Sequence, residues 1–338
     1  MSLNERISYT IVVCVSNREE KVFKRCLDAI SALDISGITT EVLLVDSSSM
    51  APLVNLPFVR DFLRKTPTAK IIVVAAQGIK NSRLGAIKEA TGKYIVFFDS
   101  DNEPEKDYLQ QLKKTNEKFP KVGAVGAGEV NTDFIDGIEN DIEEYAREIF
   151  QERHENAIRF SGRHQWQSCY PYGSGLCIYT SLLKDFMSLT REGKFTMSTA
   201  RDANAVAAGD ETQMVLHCID KGYAAGITPA LRITHIIPRE RVQREYLQKL
   251  IYGTGLYYES CLSQAFPEHK EKLRQKILPG TMFFLQAIRK YCTARFSSDP
   301  RKIFELVDYI GLNAGAYLAL NKPVPPSIKM FVKYLKLE

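Results

Sequence analysis

The stretch Tyr94-Ile95-Val96-Phe97-Phe98-Asp99-Ser100-Asp101-Asn102-Glu103-Pro104 does most to limit what this chain can fold into. Five apolar, mostly β-favouring residues run straight into three acids within five positions. So short and aromatic a run reads as a buried strand rather than a helix. A strand buried on both faces belongs in the middle of a sheet flanked by helices. In open α/β sheets, ligands bind beyond the carboxyl ends of the strands, so these acids mark where chemistry is expected. Asp99 and Asp101 lie two apart, and extended geometry would aim both carboxylates to one side. Two like charges that close repel, and a divalent cation removes the conflict. Mg²⁺ or Mn²⁺ takes oxygen ligands, often one or two carboxylates with substrate phosphates. A lone Asp-x-Asp is also common as a solvated turn, so the rest of the chain must decide.

The neighbouring segments supply the sheet. Residues 7–15 read as a first strand, followed by Ser16-Asn17-Arg18 and an amphipathic helix with Val22, Phe23, Cys26, Leu27 and Ile30 on one face. Ser16 or Asn17 could cap that helix, whose free amides would form an anion site at the strand ends. Strands at 41–45 and 71–75 follow, the former ending in Asp46, and a helix over 82–90 stops at Thr91-Gly92. Strand and helix in alternation predict a parallel, Rossmann-like sheet with crossovers. Beyond it come a helix at 106–119, an acidic surface helix at 138–158, and a loop, Tyr170 to Gly175, that leads into apolar residues. Gly209-Asp210-Glu211-Thr212 opens a further helix that Gly222 closes, and an apolar stretch at 227–237 carries His235. Gly123-x-x-Gly126-x-Gly128 is not in the order of a dinucleotide loop, so no such site is expected there. From Arg239 the pattern is helical to the end.

Composition narrows the classes. The formal net charge of +5 over 338 residues is modest, and no nucleic-acid partner is expected from it. It is uneven: from Lys270 onward there are thirteen Lys/Arg against five Asp/Glu. Beside Phe283, Phe284, Leu285, Phe331 and Tyr334, that excess suggests peripheral membrane contact through the C-terminal helices. A basic, solvated face over an ordinary helical core has the same composition. Seven cysteines, odd in number and without a C-x-x-C pair, argue against a zinc site or a disulfide framework. Reduced thiols and the lack of a signal-peptide pattern give the expectation of a cytoplasmic protein, with the inner face of the cell membrane as the alternative site.

With these pieces in order, residues 7–240 resemble glycosyltransferase family 2, enzymes of the GT-A fold that use a nucleotide-activated sugar. Asn17 and Arg18 match the turn after the family's first strand, with Cys14 and Ser16 where the family has Pro and Tyr. Asp46 matches the first acid of the family's D-D-x-S, and Ser47 replaces the second. Arg83 matches the Arg of the family's A-R-N-x-G helix start, while Leu84 departs from it. Asp99-Ser100-Asp101 matches the D-x-D motif. The family's catalytic base lies in an E-D pair about eleven residues before a G-Y. Here Gly222-Tyr223 follows Asp210-Glu211, with the two acids in swapped order. Thr234-His235-Ile236-Ile237-Pro238 resembles the strand end where relatives supply a further metal ligand.

The resemblance implies an inverting glycosyltransferase of mostly parallel α/β architecture with a helical C-terminal extension. Residues 7–105 would be the nucleotide-binding half, 106–240 the acceptor half, and 241–338 the extension. Ser16, Asn17, Arg18, Asp46, Arg83, Asp99 and Ser100 would hold the donor, and Asp101 with His235 would hold Mn²⁺ or Mg²⁺. Glu211 or Asp210 would be the base. The partners implied are a nucleotide-sugar donor and a saccharide or lipid-linked acceptor, in polysaccharide or glycoconjugate synthesis. The departures at Ser47, Leu84 and the swapped acids leave a second reading, a catalytically weak nucleotide-sugar-binding module. A nucleotidyltransferase would need a Gly-rich loop with a trailing Lys after the first strand, and Ser16-Asn17-Arg18 is not one.

Overall fold

The computed structural model describes residues 8–15, 19–47, 52–75, 78–196 and 209–338. The chain opens with β1 (Ser8–Val15), α1 (Glu20–Ser31), β2 (Thr39–Asp46), α2 (Pro57–Lys65), β3 (Ala69–Val73), α3 (Ile79–Glu89) and β4 (Tyr94–Asp99). It continues through β5 (Asn102–Pro104), α4 (Tyr108–Lys118), β6 (Val122–Phe134), α5 (Glu143–Ile149), β7 (Arg153–His154), β8 (Arg159–Ser161), β9 (Leu176–Tyr179) and α6 (Thr180–Arg191). Then come α7 (Asp210–Asp220), β10 (Ala224–Ile237), α8 (Arg244–Ala265), α9 (His269–Lys276), α10 (Gly280–Phe296), α11 (Arg301–Ala319) and α12 (Pro326–Tyr334). The elements fall into two compact units. One comprises Met1–Asp133, Gln151–Gly193 and His217–Ile237; the other comprises Phe134–Phe150, Lys194–Leu216 and Pro238–Glu338.

The first unit is built on one sheet, in the order β3-β2-β1-β4-β9-β6-β10-β5 among the described residues. The expected parallel core is β3-β2-β1-β4, with β1 paired in parallel to β2 and β4, and β2 to β3. The strand order reverses between β1 and β4, the switch point at which such sheets open a ligand crevice. Beyond β4 the sheet turns antiparallel, through β4–β9, β9–β6 and β10–β5.

The central strands are buried on both sides, as their near-continuous apolar runs require. Tyr94, Val96 and Phe98 of β4 join the same core as Ile11 and Val13 of β1 and Phe23 and Leu27 of α1. Ile95 and Phe97 alternate with them and are just as buried. The apolar face of α1 is the expected one: Val22, Phe23, Cys26, Leu27 and Ile30. That helix begins at Glu20 after Glu19, with no side-chain cap bond, and the proposed caps Ser16 and Asn17 lie outside the described residues.

Three local expectations come out differently. The helix expected over 138–158 is only α5, with β7 following, because Phe134 to Ile142 and Gln151 break the run; Gln151 has φ +67°. Helices α2 and α6 are additional; α2 starts with Pro57 at its first position, where a missing N–H costs nothing. Gly92 is not a left-handed helix stop. A Cβ there would lie 2.6 Å from the Thr10 backbone N, so glycine is needed for close approach between strand ends. The glycines of the 123–128 segment sit inside β6, where Gly128 lies against the Thr228–Pro229 backbone. They serve sheet packing and not a phosphate loop.

The second unit is mainly helical. Helices α8 and α11 approach closely through glycines: a Cβ on Gly311 would sit 2.7 Å from the Tyr252 carbonyl O, and one on Gly315 2.5 Å from that of Leu256. Arg244 at the start of α8 bridges Glu139 and Asp141, at 2.6 and 2.8 Å. Tyr145 of α5 stacks on Phe304 of α11 at 5.1 Å between ring centroids.

Candidate active site

The carboxyl end of the parallel sheet gathers most of the expected residues. Val15, the last residue of β1, pairs with Asp46 on one side, and Cys14 pairs with Asp99 on the other. The two acids therefore flank the end of β1 across the switch point. Asp46 is 3% exposed, and its carboxylate accepts the Leu53 backbone N–H at 3.3 Å. That bond ties the β2 end to the segment before α2. Ser16, Asn17 and Arg18, next in sequence after β1, lie outside the described residues.

Asp99 and Asp101 do not share a strand. The chain leaves β4 at Asp99, turns through Ser100 and Asp101, and resumes as β5 at Asn102. The turn gives each carboxylate its own partners. Asp99 Oδ1 lies 3.3 Å from Arg83 Nη2, and the Arg83 side chain is only 4% exposed. Arg83 projects from α3 and also lies over the Phe97 ring, 5.9 Å from its centroid. The Arg83 guanidinium is thus buried, while its Asp99 partner keeps 34% of its side chain exposed toward the end of the sheet.

Asp101 faces the other way. Its Oδ2 lies 3.4 Å from His235 Nε2, and the two side chains are 16% and 11% exposed. Backbone pairing makes this contact: His235 of β10 stands opposite Asn102 of β5, and the Ile236 N–H donates to the Asp101 carbonyl at 2.8 Å. A lone His in an apolar stretch is thereby carried to the D-x-D turn. A carboxylate from the D-x-D turn and an imidazole from β10 thus meet at one point, and a divalent cation held there would complete its shell with water or phosphate oxygens. Among the described residues, no group of three or more His, Cys, Asp or Glu is arranged to hold a metal.

Sequence reasoning missed the residues that hold this turn in shape. Asn102 is fully buried; its Oδ1 accepts the Asp99 N–H at 3.1 Å, and its Nδ2 donates to Asp101 Oδ1 at 2.9 Å. The signal was there, since Asn is a common side-chain closer of turns. Arg25 of α1 grips Glu103 with two bonds of 2.8 and 2.6 Å and reaches Asp133 at 3.0 Å, which anchors β5. Beneath the turn, the Cys26 thiol donates to the Asp99 carbonyl at 3.5 Å. Burial, with Asp101 nearby, pushes that thiol well above its ordinary pKa, so it stays a neutral packing group.

Asp210 and Glu211 are the first two residues of α7 and belong to the second unit. Gly209, with φ +67°, sets the entry, and its carbonyl accepts the Gln213 N–H at 3.1 Å. Asp210 is 1% exposed and Glu211 is partly exposed. At the far end of the helix, Gly222 has φ +80° and the Tyr223 N–H reaches back to the Cys218 carbonyl at 3.0 Å, the expected glycine closure.

A crevice at a strand-order reversal, lined by acids at the ends of β2 and β4, is the ground plan of a nucleotide-dependent α/β enzyme. Residues 10–175 match the model of glycosyl transferase family 2. The matched segment, about half of the chain, is a glycosyl transferase family 2 domain. Solved structures similar to it include S. aureus TarS 1–349 in complex with UDP, at 13% identity and TM-score 0.48, over 94% of this chain and 93% of that one. Another is the mannosyltransferase PcManGT from Pyrobaculum calidifontis in complex with GDP-Man and Mn²⁺, at 18% identity and TM-score 0.49, over 99% of this chain and 81% of that one. No curated protein sequence matches the chain significantly.

Proposed function

We propose that the protein is an inverting, metal-assisted glycosyltransferase that moves a sugar from a nucleotide-sugar donor to an acceptor hydroxyl, in polysaccharide or glycoconjugate synthesis. The observation that carries this reading is the meeting of Asp101 with His235 beside the Asp99–Arg83 pair, at the switch point of a family-2 sheet. Residues 7–240 are proposed as the catalytic domain, with the donor held by 7–105 and the acceptor by 106–240, and 241–338 as an extension. Asp46 would accept from the nucleobase, and Ser16, Asn17, Arg18 and Ser100 would line the phosphates and sugar. Asp99, oriented by Arg83, would take the ribose hydroxyls, while Arg83 adds positive charge nearby. Asp101 and His235 would hold Mn²⁺ or Mg²⁺, whose charge offsets that of the departing diphosphate. The sugar passes through an oxocarbenium-like state, and Glu211 or Asp210 accepts the proton of the attacking hydroxyl. A saccharide or lipid-linked acceptor fits this chemistry. Seven cysteines without a disulfide favour a reducing, cytoplasmic setting.

The test is thermal stability in a panel of nucleotide sugars with and without Mn²⁺, because a ligand that binds only the native state raises Tm. A donor should raise Tm more with Mn²⁺ than without, and Asp101→Ala should remove the difference. If chelator and substitution both leave nucleotide binding unchanged, the metal role fails. Transfer or slow donor hydrolysis by the same preparation separates an enzyme from a module that only binds.

A further inference from the structure

Helix α10 carries a second apolar face, opposite the one that it buries. Phe283 and Ala287 point into the helical unit, where Phe283 stacks on Tyr309 at 5.3 Å and meets Phe331 at 6.1 Å. Residues 282, 285, 289, 292 and 296 follow a three–four spacing, which places them together on the other side of the helix. That side holds Met282 at 50% exposure, Leu285 at 70% and Phe296 at 87%, with Ile288 beside them at 40%. Helix α12 widens the face. It runs alongside α10 start to start: Ser327 Oγ donates to the Gly280 carbonyl at 2.9 Å, and the hydroxyls of Tyr291 and Tyr334 meet at 2.7 Å. Met330 and Tyr334 of α12 are 49% and 63% exposed. Phe283 and Phe331, which the sequence pattern suggested for this surface, belong to the core instead.

The charge on these helices decides what can cover the face. Together α10 and α12 carry five Lys/Arg and no Asp or Glu. Lys290 turns toward α11, over the Tyr309 ring and near Asp308, which leaves Arg289, Arg295, Lys329 and Lys333 for the face. A symmetric pairing with a second copy would set this patch against itself and bring cations together with no acid to answer them. An anionic lipid surface answers both features, since it takes apolar side chains into the acyl boundary and cations at the headgroups. No described helix is long and apolar enough to cross a membrane, so the contact would lie in the plane of the interface. At about 1.5 Å per residue, α10 offers a contact about 25 Å long.

We propose that the α10–α12 face docks the protein on anionic lipid. The inference is independent of the catalytic reading. Flotation of the full chain with vesicles of phosphatidylglycerol and phosphatidylcholine tests it, with pure phosphatidylcholine vesicles as the comparison. The protein should float with the anionic vesicles in low salt, and not with the neutral ones. Raising salt to about 0.5 M, where the Debye length falls to a few ångströms, should weaken binding at least about tenfold. The double substitution Leu285→Glu, Phe296→Glu should abolish flotation while leaving circular dichroism and Tm unchanged, because both side chains are exposed. Lys329→Gln with Lys333→Gln is the independent arm, and should weaken flotation without removing apolar surface. No flotation in low salt, or equal flotation with neutral vesicles, overturns the proposal. So does a dimer in sedimentation that the Glu substitutions dissociate, if the wild-type protein ignores vesicles.

Discussion

At the scale of single residues, the proposed proton acceptor is Asp210 or Glu211. Register from Gly222-Tyr223 favours Glu211, and so does exposure, since Asp210 is 1% exposed whereas Glu211 reaches solvent. Both lie in the first turn of α7, where the helix dipole favours the ionised form that a base needs. Glu211→Gln and Asp210→Asn keep shape and remove basicity. Steady-state kinetics should show turnover falling by about 100-fold or more for Glu211→Gln, the usual scale of general base catalysis, with donor affinity little changed. A loss confined to Asp210→Asn would transfer the role to the neighbour. If neither substitution lowers turnover tenfold while donor still binds, the base lies elsewhere.

At the scale of elements, the close crossing of α8 and α11 is the most demanding contact in the helical unit. Its glycines face backbone atoms, which cannot turn aside as a flexible side chain can. A Cβ on Gly311 would lie 2.7 Å from the Tyr252 carbonyl O and 3.3 Å from its Cα. Gly311→Val must therefore push the helices apart, and overpacking of this kind typically costs about 1–3 kcal/mol. Urea unfolding followed by circular dichroism should show an earlier transition for Gly311→Val. An unchanged midpoint would mean that the two helices separate without loss.

At the scale of the whole molecule, stability should depend on pH through carboxylates remote from the crevice. Glu41 Oε1 accepts from Thr10 Oγ1 at 2.7 Å, the Thr91 N–H at 2.6 Å and Thr91 Oγ1 at 2.7 Å, joining β1, β2 and the turn before β4. Burial pushes this carboxyl up, but the hydrogen bonds outweigh it and hold its pKa below the ordinary value of 4.5. Asp185 is likewise held low, by the ammonium of Lys221 first and by His217 as well. A carboxylate with a depressed folded pKa adds stability above its unfolded pKa, and that stability is lost as pH falls through the folded value. Tm should therefore drop on acidification below the ordinary carboxylate range. Glu41→Gln should lower Tm by several degrees at pH 7 and flatten the acid limb, as charge-assisted hydrogen bonds contribute about 1.5–3 kcal/mol each. A Tm-against-pH curve that keeps the wild-type acid limb in this variant would remove Glu41 from the account.

What the sequence determined by itself was whatever depends on near neighbours. The run 94–99 announced a buried strand because apolar residues on both faces leave no other place for it. Gly222 announced a helix end because it can take a positive φ, and Asp46 and Asp99 announced the crevice because they end strands. Tertiary structure alone decided how those residues meet. Arg83 reaches Asp99 across a helix–strand packing, and His235 reaches Asp101 only because β10 pairs antiparallel with β5. That pairing joins segments more than a hundred residues apart, and no local period encodes it. The apolar face of α10 is likewise a tertiary result. Apolar residues stand on more than one side of this helix, and packing against α11 and α12 decides that Phe283 and Ala287 are buried and Leu285 and Phe296 are left in water.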